Sequence, residues 1–248
     1  MKYIEVYKSE NHFSSFPSVA ITKSGKIIIA FRRAGLFSVN AAKDDSPTHH
    51  DTNSEICVMF SENNGESYDS KTMNISTKIK YGINDPGITV LSNGKIILNS
   101  SAIQVVESKN RNSLSNPIVA HRPDLNTVSS CVGVFVQSSE DDGLSWSDTK
   151  KISIKNNASN FCTRESAIEL EDGTILLAIY EPNSCKSDVA YLLRSWDLGD
   201  SWDDLSLIAK DNKGMKSIFQ GISFNETAIL NLGEGKLLSM IRADSTYY

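Results

Sequence analysis

An all-β fold, a β-propeller of four-stranded antiparallel blades, is what the sequence predicts, and three observations predict it. The octad S-x-[DN]-x-G-x-S-[YW] occurs as SENNGESY (Ser61 to Tyr68), SEDDGLSW (Ser139 to Trp146) and SWDLGDSW (Ser195 to Trp202). A glycine leading a short, largely β-branched apolar run occurs as GKIIIAF from Gly25, GKIILNS from Gly94, GTILLAIY from Gly173 and GKLLSMI from Gly235. The two patterns alternate in register along the chain, and such periodicity marks repeat architectures.

Each element has a physical reason. In the octad the Asp or Asn side chain (Asn63, Asp141, Asp197) is placed to accept backbone N–H groups of its own turn. The glycine supplies a positive φ, and the aromatic residue packs beneath. The apolar runs are too short for core helices and read as buried strands. Pro17, Pro86 and Glu165 stand eight residues before their glycines and Glu226 stands nine before Gly235, so the fourth copy carries one inserted residue. One unit therefore reads strand, turn, apolar strand, variable connection, strand, octad turn, strand. The connection from second to third strand changes length from unit to unit, and such inserts commonly build functional faces.

Residues 1–248 are then a single propeller domain of three complete units and the opening of a fourth. Closed propellers take about four to eight blades, so the natural protein is expected to continue beyond Tyr248. A closed four-bladed domain with an abbreviated last blade is the alternative. The net charge of -5 and scattered Lys and Arg residues exclude the electrostatic footprint of a nucleic-acid binder. No run has the length of a membrane span, and MKYIEVYKSENHF has no apolar segment of a secretory signal. The expected location is the cytoplasm, or outside the cell if a signal lies upstream. Cys57, Cys131, Cys162 and Cys185 lack metal-ligand spacing, as does the pair His49 and His50. Neither a cofactor nor a metal is called for.

The octads, Asp85-Pro86 and the segment FNETAILNLGEGKLLSMIR (Phe224 to Arg242) together resemble the sialidase (neuraminidase) superfamily, whose Asp-box repeats build six-bladed propellers. The resemblance implies an exo-α-sialidase-like, retaining glycoside hydrolase acting on a carbohydrate or glycoconjugate. Such enzymes hold a sugar carboxylate with three arginines, attack with a tyrosine assisted by a glutamate, and use a separate aspartate as acid and base. By this resemblance Glu226 is the assisting base and Arg242 one of the three arginines. Arg32 or Arg33 ends the matching strand of the first unit, and both stay open. Asp51 matches the acid–base aspartate, with Asp44 and Asp45 as competitors, and Asp85 matches the aspartate that contacts the sugar's amide. A solvated loop carboxylate and an ordinary Asp-Pro turn are the plain readings of Asp51 and Asp85. Arg164-Glu165 opens the third unit with no role assigned.

Two departures stand out. Ser15 occupies the place of the first arginine, which points to a different sugar or to a non-catalytic carbohydrate-binding propeller. The tyrosine nucleophile is expected after residue 248, because Tyr247 and Tyr248 follow Arg242 too closely.

Overall fold

The structure, a computed structural model, describes residues 3–35, 50–69, 71, 73–76, 79–116, 118–123, 126–154, 160–182, 187–211 and 221–244. The first sheet joins β1 (His12–Ile21), β2 (Ile27–Gly35), β3 (Glu55–Ser61) and β4 (Met73–Asn74) in that order, antiparallel throughout. The second contains β5 (Gly82–Val90), β6 (Ile96–Glu107), β7 (Ile118–Arg122), β8 (Thr127–Ser139) and β9 (Lys150–Lys151). The third runs β10 (Ile168–Glu169), β11 (Ile175–Glu181), β12 (Val189–Ser195) and β13 (Asp203–Ala209), and β14 (Ser223–Gly233) with β15 (Lys236–Asp244) forms a final hairpin. Three sheets and a hairpin, each opening on an antiparallel pair led into by a glycine turn, are the blades of an incomplete propeller.

The second blade departs from the expected meander by carrying five strands. Its long insert prolongs β6 and β8 into an extended hairpin, closes through a 3-10 turn at Ser108–Ser113, and lays β7 beside Thr127–Ser130 of β8. Strand β9, which follows the octad, pairs with Phe135 and Val136 farther along the same edge. The extra residue of the fourth copy shows as a register shift between Asn231 and Gly233.

Strand alternation explains the packing. Successive side chains point to opposite faces, so Ile96 and Leu98 join Ile28, Ala30, Val58 and Phe60 of the first blade. Ile97 between them joins Ile175, Leu177, Leu193 and Trp202 of the third. An internal blade is thus apolar on both faces, as its unbroken apolar run requires.

The octads form one turn three times. The leading serine donates to the carboxyl or amide oxygen of Asn63 (2.9 Å), Asp141 (2.8 Å) and Asp197 (2.8 Å). That same oxygen accepts the N–H of Ser67, Ser145 and Ser201 at 3.0, 2.8 and 2.9 Å. Each glycine lies at positive φ (Gly65 82°, Gly143 85°, Gly199 86°) and sends its N–H to the serine hydroxyl at 2.9 Å. Trp146 and Trp202 donate from Nε1 to the glycine carbonyls at 3.0 and 3.1 Å. Hydrogen bonding, led by the Ser145 hydroxyl, draws the Asp141 carboxyl down to about 2. The turns also tie blades together. A side chain on Gly143 would collide with Ile28 of the preceding blade, and one on Gly199 with Ile97 of its own preceding blade. Lys95 of the second blade pairs with Asp200 of the third at 2.9 Å.

Candidate active site

Three of the four inner strands, β1, β5 and β14, are interrupted by a bulge: between Ser15 and Ser18, between Asn84 and Gly87, and between Phe224 and Thr227. A bulge adds a residue on one strand and re-aims a side chain. In the first two bulges Phe16 and Asp85 adopt the same left-handed φ of 54°, uncommon for a residue with a side chain.

The third blade brings Arg164 to these bulges, and its approach is fixed by polar stitching. Asn99 Nδ2 donates to the Glu165 carbonyl (2.9 Å), Ser101 Oγ to the Thr163 carbonyl (2.8 Å), and Thr163 N–H returns to Ser101 Oγ (2.7 Å). Ser18 Oγ lies 3.0 Å from Ser166 Oγ and accepts the Ile88 N–H at 3.0 Å, so three blades meet there. Gly87 is indispensable to this approach, because a Cβ at that position would lie 2.7 Å from the Glu165 carbonyl oxygen.

The result is a continuous chain of charges. Arg164 Nη1 contacts Asp85 Oδ1 at 2.6 Å and lies 4.0 Å from Glu226 Oε1, while its guanidinium covers the Phe16 ring at 4.2 Å. Glu226 Oε1 accepts from Arg242 Nη1 at 3.2 Å, and Arg242 Nε also reaches Asp244 at 3.1 Å. Burial pushes the Asp85 carboxyl up to about 6; Arg164 and Arg32 oppose this and Glu226 reinforces it.

Arg32 is fully buried, and burial draws its guanidinium down to about 10 against the pull of Asp51 and Asp85. Ser15 stands directly opposite it in the ladder. Such cross-strand partners share a face, where a second guanidinium would be repelled. Arg33 turns to the other face, where its Nε donates to Glu55 Oε1 at 2.5 Å. Only Arg32 of the two lies among the charges of the inner strands.

Asp51 is just 3% exposed. Its Oδ1 accepts the Asn53 N–H at 2.8 Å and its Oδ2 the Gly35 N–H at 3.3 Å. Asp44, Asp45, His49, Cys185, Tyr247 and Tyr248 lie outside the described residues. Cys57, Cys131 and Cys162 are buried, and among the described residues no group of His, Cys, Asp and Glu could hold a metal. No described helix is long and apolar enough to cross a membrane. A cavity of about 280 Å³ lined by Gly133, Val134, Lys151, Asn160 and Phe161 contains none of the converging charges.

Arg164, which has no role by resemblance, and Phe16 both carry a signal in the sequence. Counting nine residues back from each glycine, instead of eight, gives Phe16, Asp85, Arg164 and Glu226. These four side chains are the ones that converge.

No protein-family model matches the chain, and no curated protein matches it in sequence. Solved structures do resemble it. A protein of unknown function from Dyadobacter fermentans aligns at 25% identity and a TM-score of 0.77, covering 96% of this chain and 64% of that one. A Hadza microbial sialidase aligns at 18% identity and a TM-score of 0.64, covering 92% and 42%. The Trypanosoma rangeli sialidase aligns at 14% identity and a TM-score of 0.59, covering 94% and 35%. The fold is sialidase-like. The chain spans between about a third and two thirds of the length of these three chains.

Proposed function

We propose that this chain contributes the catalytic face of a glycoside hydrolase of sialidase type, retaining in stereochemistry, that removes a terminal sugar from a glycoconjugate. The observation that carries the reading is the convergence of Asp85, Arg164, Glu226 and Arg242 from three successive blades of a sialidase-like fold.

In this reading Glu226 is the base that takes the proton of a tyrosine nucleophile contributed from beyond these residues. The 3.2 Å contact with Arg242 aims its carboxylate. Arg242, about half exposed, is open to a substrate. Asp85 hydrogen-bonds the sugar's substituents. Arg32 acts from beneath, its buried charge holding Asp51 and Asp85 in place. Asp51 was the expected acid and base, but a proton donor must reach the leaving group. Buried, and accepting backbone N–H groups on both oxygens, Asp51 suits the support of Arg32 better. The acid–base function then falls to Asp44 or Asp45.

The test is release of 4-methylumbelliferone from a panel of glycosides, a sialoside included, by the natural full-length protein. Turnover of at least one substrate is expected, with Glu226→Gln lowering kcat by about 100-fold or more. Absence of turnover on every glycoside would remove the hydrolase reading. A second reading, a carbohydrate-binding propeller without catalysis, is favoured by Ser15 in the place of an arginine. It predicts glycan binding that Glu226→Gln leaves intact.

A further inference from the structure

We infer that this face takes an uncharged terminal sugar, and that the ion pair between Arg164 and Asp85 sets the preference. The inference rests on the carbohydrate site proposed above and specifies what that site selects.

Recognition of a sugar carboxylate needs guanidinium groups free to grip it with two parallel hydrogen bonds. Arg164 and Arg242, the converging guanidiniums that solvent reaches, are already engaged. Arg164 is held by Asp85 at 2.6 Å, Arg242 by Glu226 and Asp244, and Arg32 lies in the field of Asp51 and Asp85. Among the described residues three guanidiniums (Arg32, Arg164, Arg242) therefore face four carboxylates (Asp51, Asp85, Glu226, Asp244). An incoming carboxylate would meet Asp85 and Glu226 as like charges. To reach Arg164 it would have to displace Asp85 and leave that carboxylate buried and unpaired, a repulsive element of the kind that sets specificity.

A hydroxyl group fits the same chain without displacing anything. It donates to a carboxylate and accepts from a guanidinium, and a paired Arg–Asp unit offers both partners side by side. Asp85 is engaged by Arg164 through Oδ1 and Glu226 by Arg242 through Oε1, so the second oxygen of each can take a hydroxyl proton. Ser15 brings no further guanidinium to this chain of charges. Where the resemblance called for an arginine there is a small hydroxyl, whose buried Oγ finds no hydrogen-bond partner among the described residues. Phe16 cannot serve as a stacking platform for a sugar ring on the face that the Arg164 guanidinium covers.

The experiment is equilibrium binding by titration calorimetry, with the natural full-length protein. The probes are the methyl glycosides of galactose, glucose, mannose and fucose, set against the methyl glycoside of N-acetylneuraminic acid. At least one neutral glycoside should bind at least about tenfold more tightly than the sialoside. Asp85→Asn keeps the side-chain volume but frees Arg164, and should shift that ratio about tenfold or more towards the sialoside. If Asp85→Asn fails to melt cooperatively, Arg164→Gln replaces it. That variant should weaken the neutral sugar without improving the sialoside. Preference of the unmodified protein for the sialoside, binding of no sugar at all, or an unchanged ratio in the variant would each overturn the inference. Binding turnover separates the two readings. A neutral sugar bound but never cleaved ends the hydrolase reading and leaves this one, whereas cleavage of the sialoside does the reverse.

Discussion

The second blade and the final hairpin are written in the same pattern and end in opposite environments. Ile97 stands three residues after Gly94 and is 2% exposed, pressed under the octad turn of the next blade. Leu238 stands three residues after Gly235 and is 53% exposed. Its ladder partner Leu230 is 57% exposed and Met240 beside them 78%. At the other end of the described arc Val19, six before Gly25, is 63% exposed, whereas Ile88, six before Gly94, is 3% exposed. The difference teaches that the apolar alternation encodes a blade-to-blade interface wherever the repeat occurs. Whether that face is covered depends on the neighbour, not on the strand.

The contrast can be broken most sharply by paired truncations. Ile97→Ala should cost about 2–5 kcal/mol, as a transfer loss plus a cavity. Leu238→Ala should cost less than about 0.5 kcal/mol, as a surface change. Urea unfolding reads both. An equal loss at Leu238 would mean that the hairpin face is covered in solution.

A second contrast lies within the inner column, between Asp85 in an internal blade and Glu226 in the hairpin, with side chains 15% and 29% exposed. Asp85 stands at about 6 in the folded chain, above the value of about 3.9 for an unfolded aspartate. The folded state therefore holds this proton longer. The stability it contributes is fully present below about pH 4 and is lost as the pH rises through about 6, an effect on the order of 2–3 kcal/mol. Melting temperatures of Asp85→Asn measured across that window should lack this slope, and a variant with the parent's slope would place the titration elsewhere.

The smallest expected effect concerns the octad turns. Asp197→Ala removes the acceptor of the Ser195 hydroxyl and the Ser201 N–H and should cost about 1 kcal/mol, the scale of a lost side-chain cap. Denaturant midpoints would show it, and no change would mean that packing of Gly199 on Ile97 alone holds the turn.

The fold was legible because its signals are local. Eight consecutive residues suffice to make the octad turn, and a glycine with its apolar run suffices to make the hairpin. The fifth strand of the second blade was not legible, since β7 pairs only because the long insert lets β6 and β8 extend. Glu226 and Arg242 could be paired from sequence because they flank one hairpin. The choice between Arg32 and Arg33 needed the ladder, which sets Arg33 opposite Glu55. Arg164 escaped because the strand that follows it, β10, is only two residues long and its partners come from other blades. The enclosure of Asp51 was not legible, because loop carboxylates are ordinarily solvated, whereas this one is held by the backbone it caps.

The position nine residues before each glycine has a wider consequence. Phenylalanine, aspartate, arginine and glutamate all occupy it, the first two at a left-handed φ of 54°, so four different side-chain chemistries are carried at one place in the repeat. Chemistry at the centre of the ring can accordingly be rewritten one blade at a time, like type in a fixed frame. The octad turns and the apolar faces carry the stability that such rewriting leaves untouched.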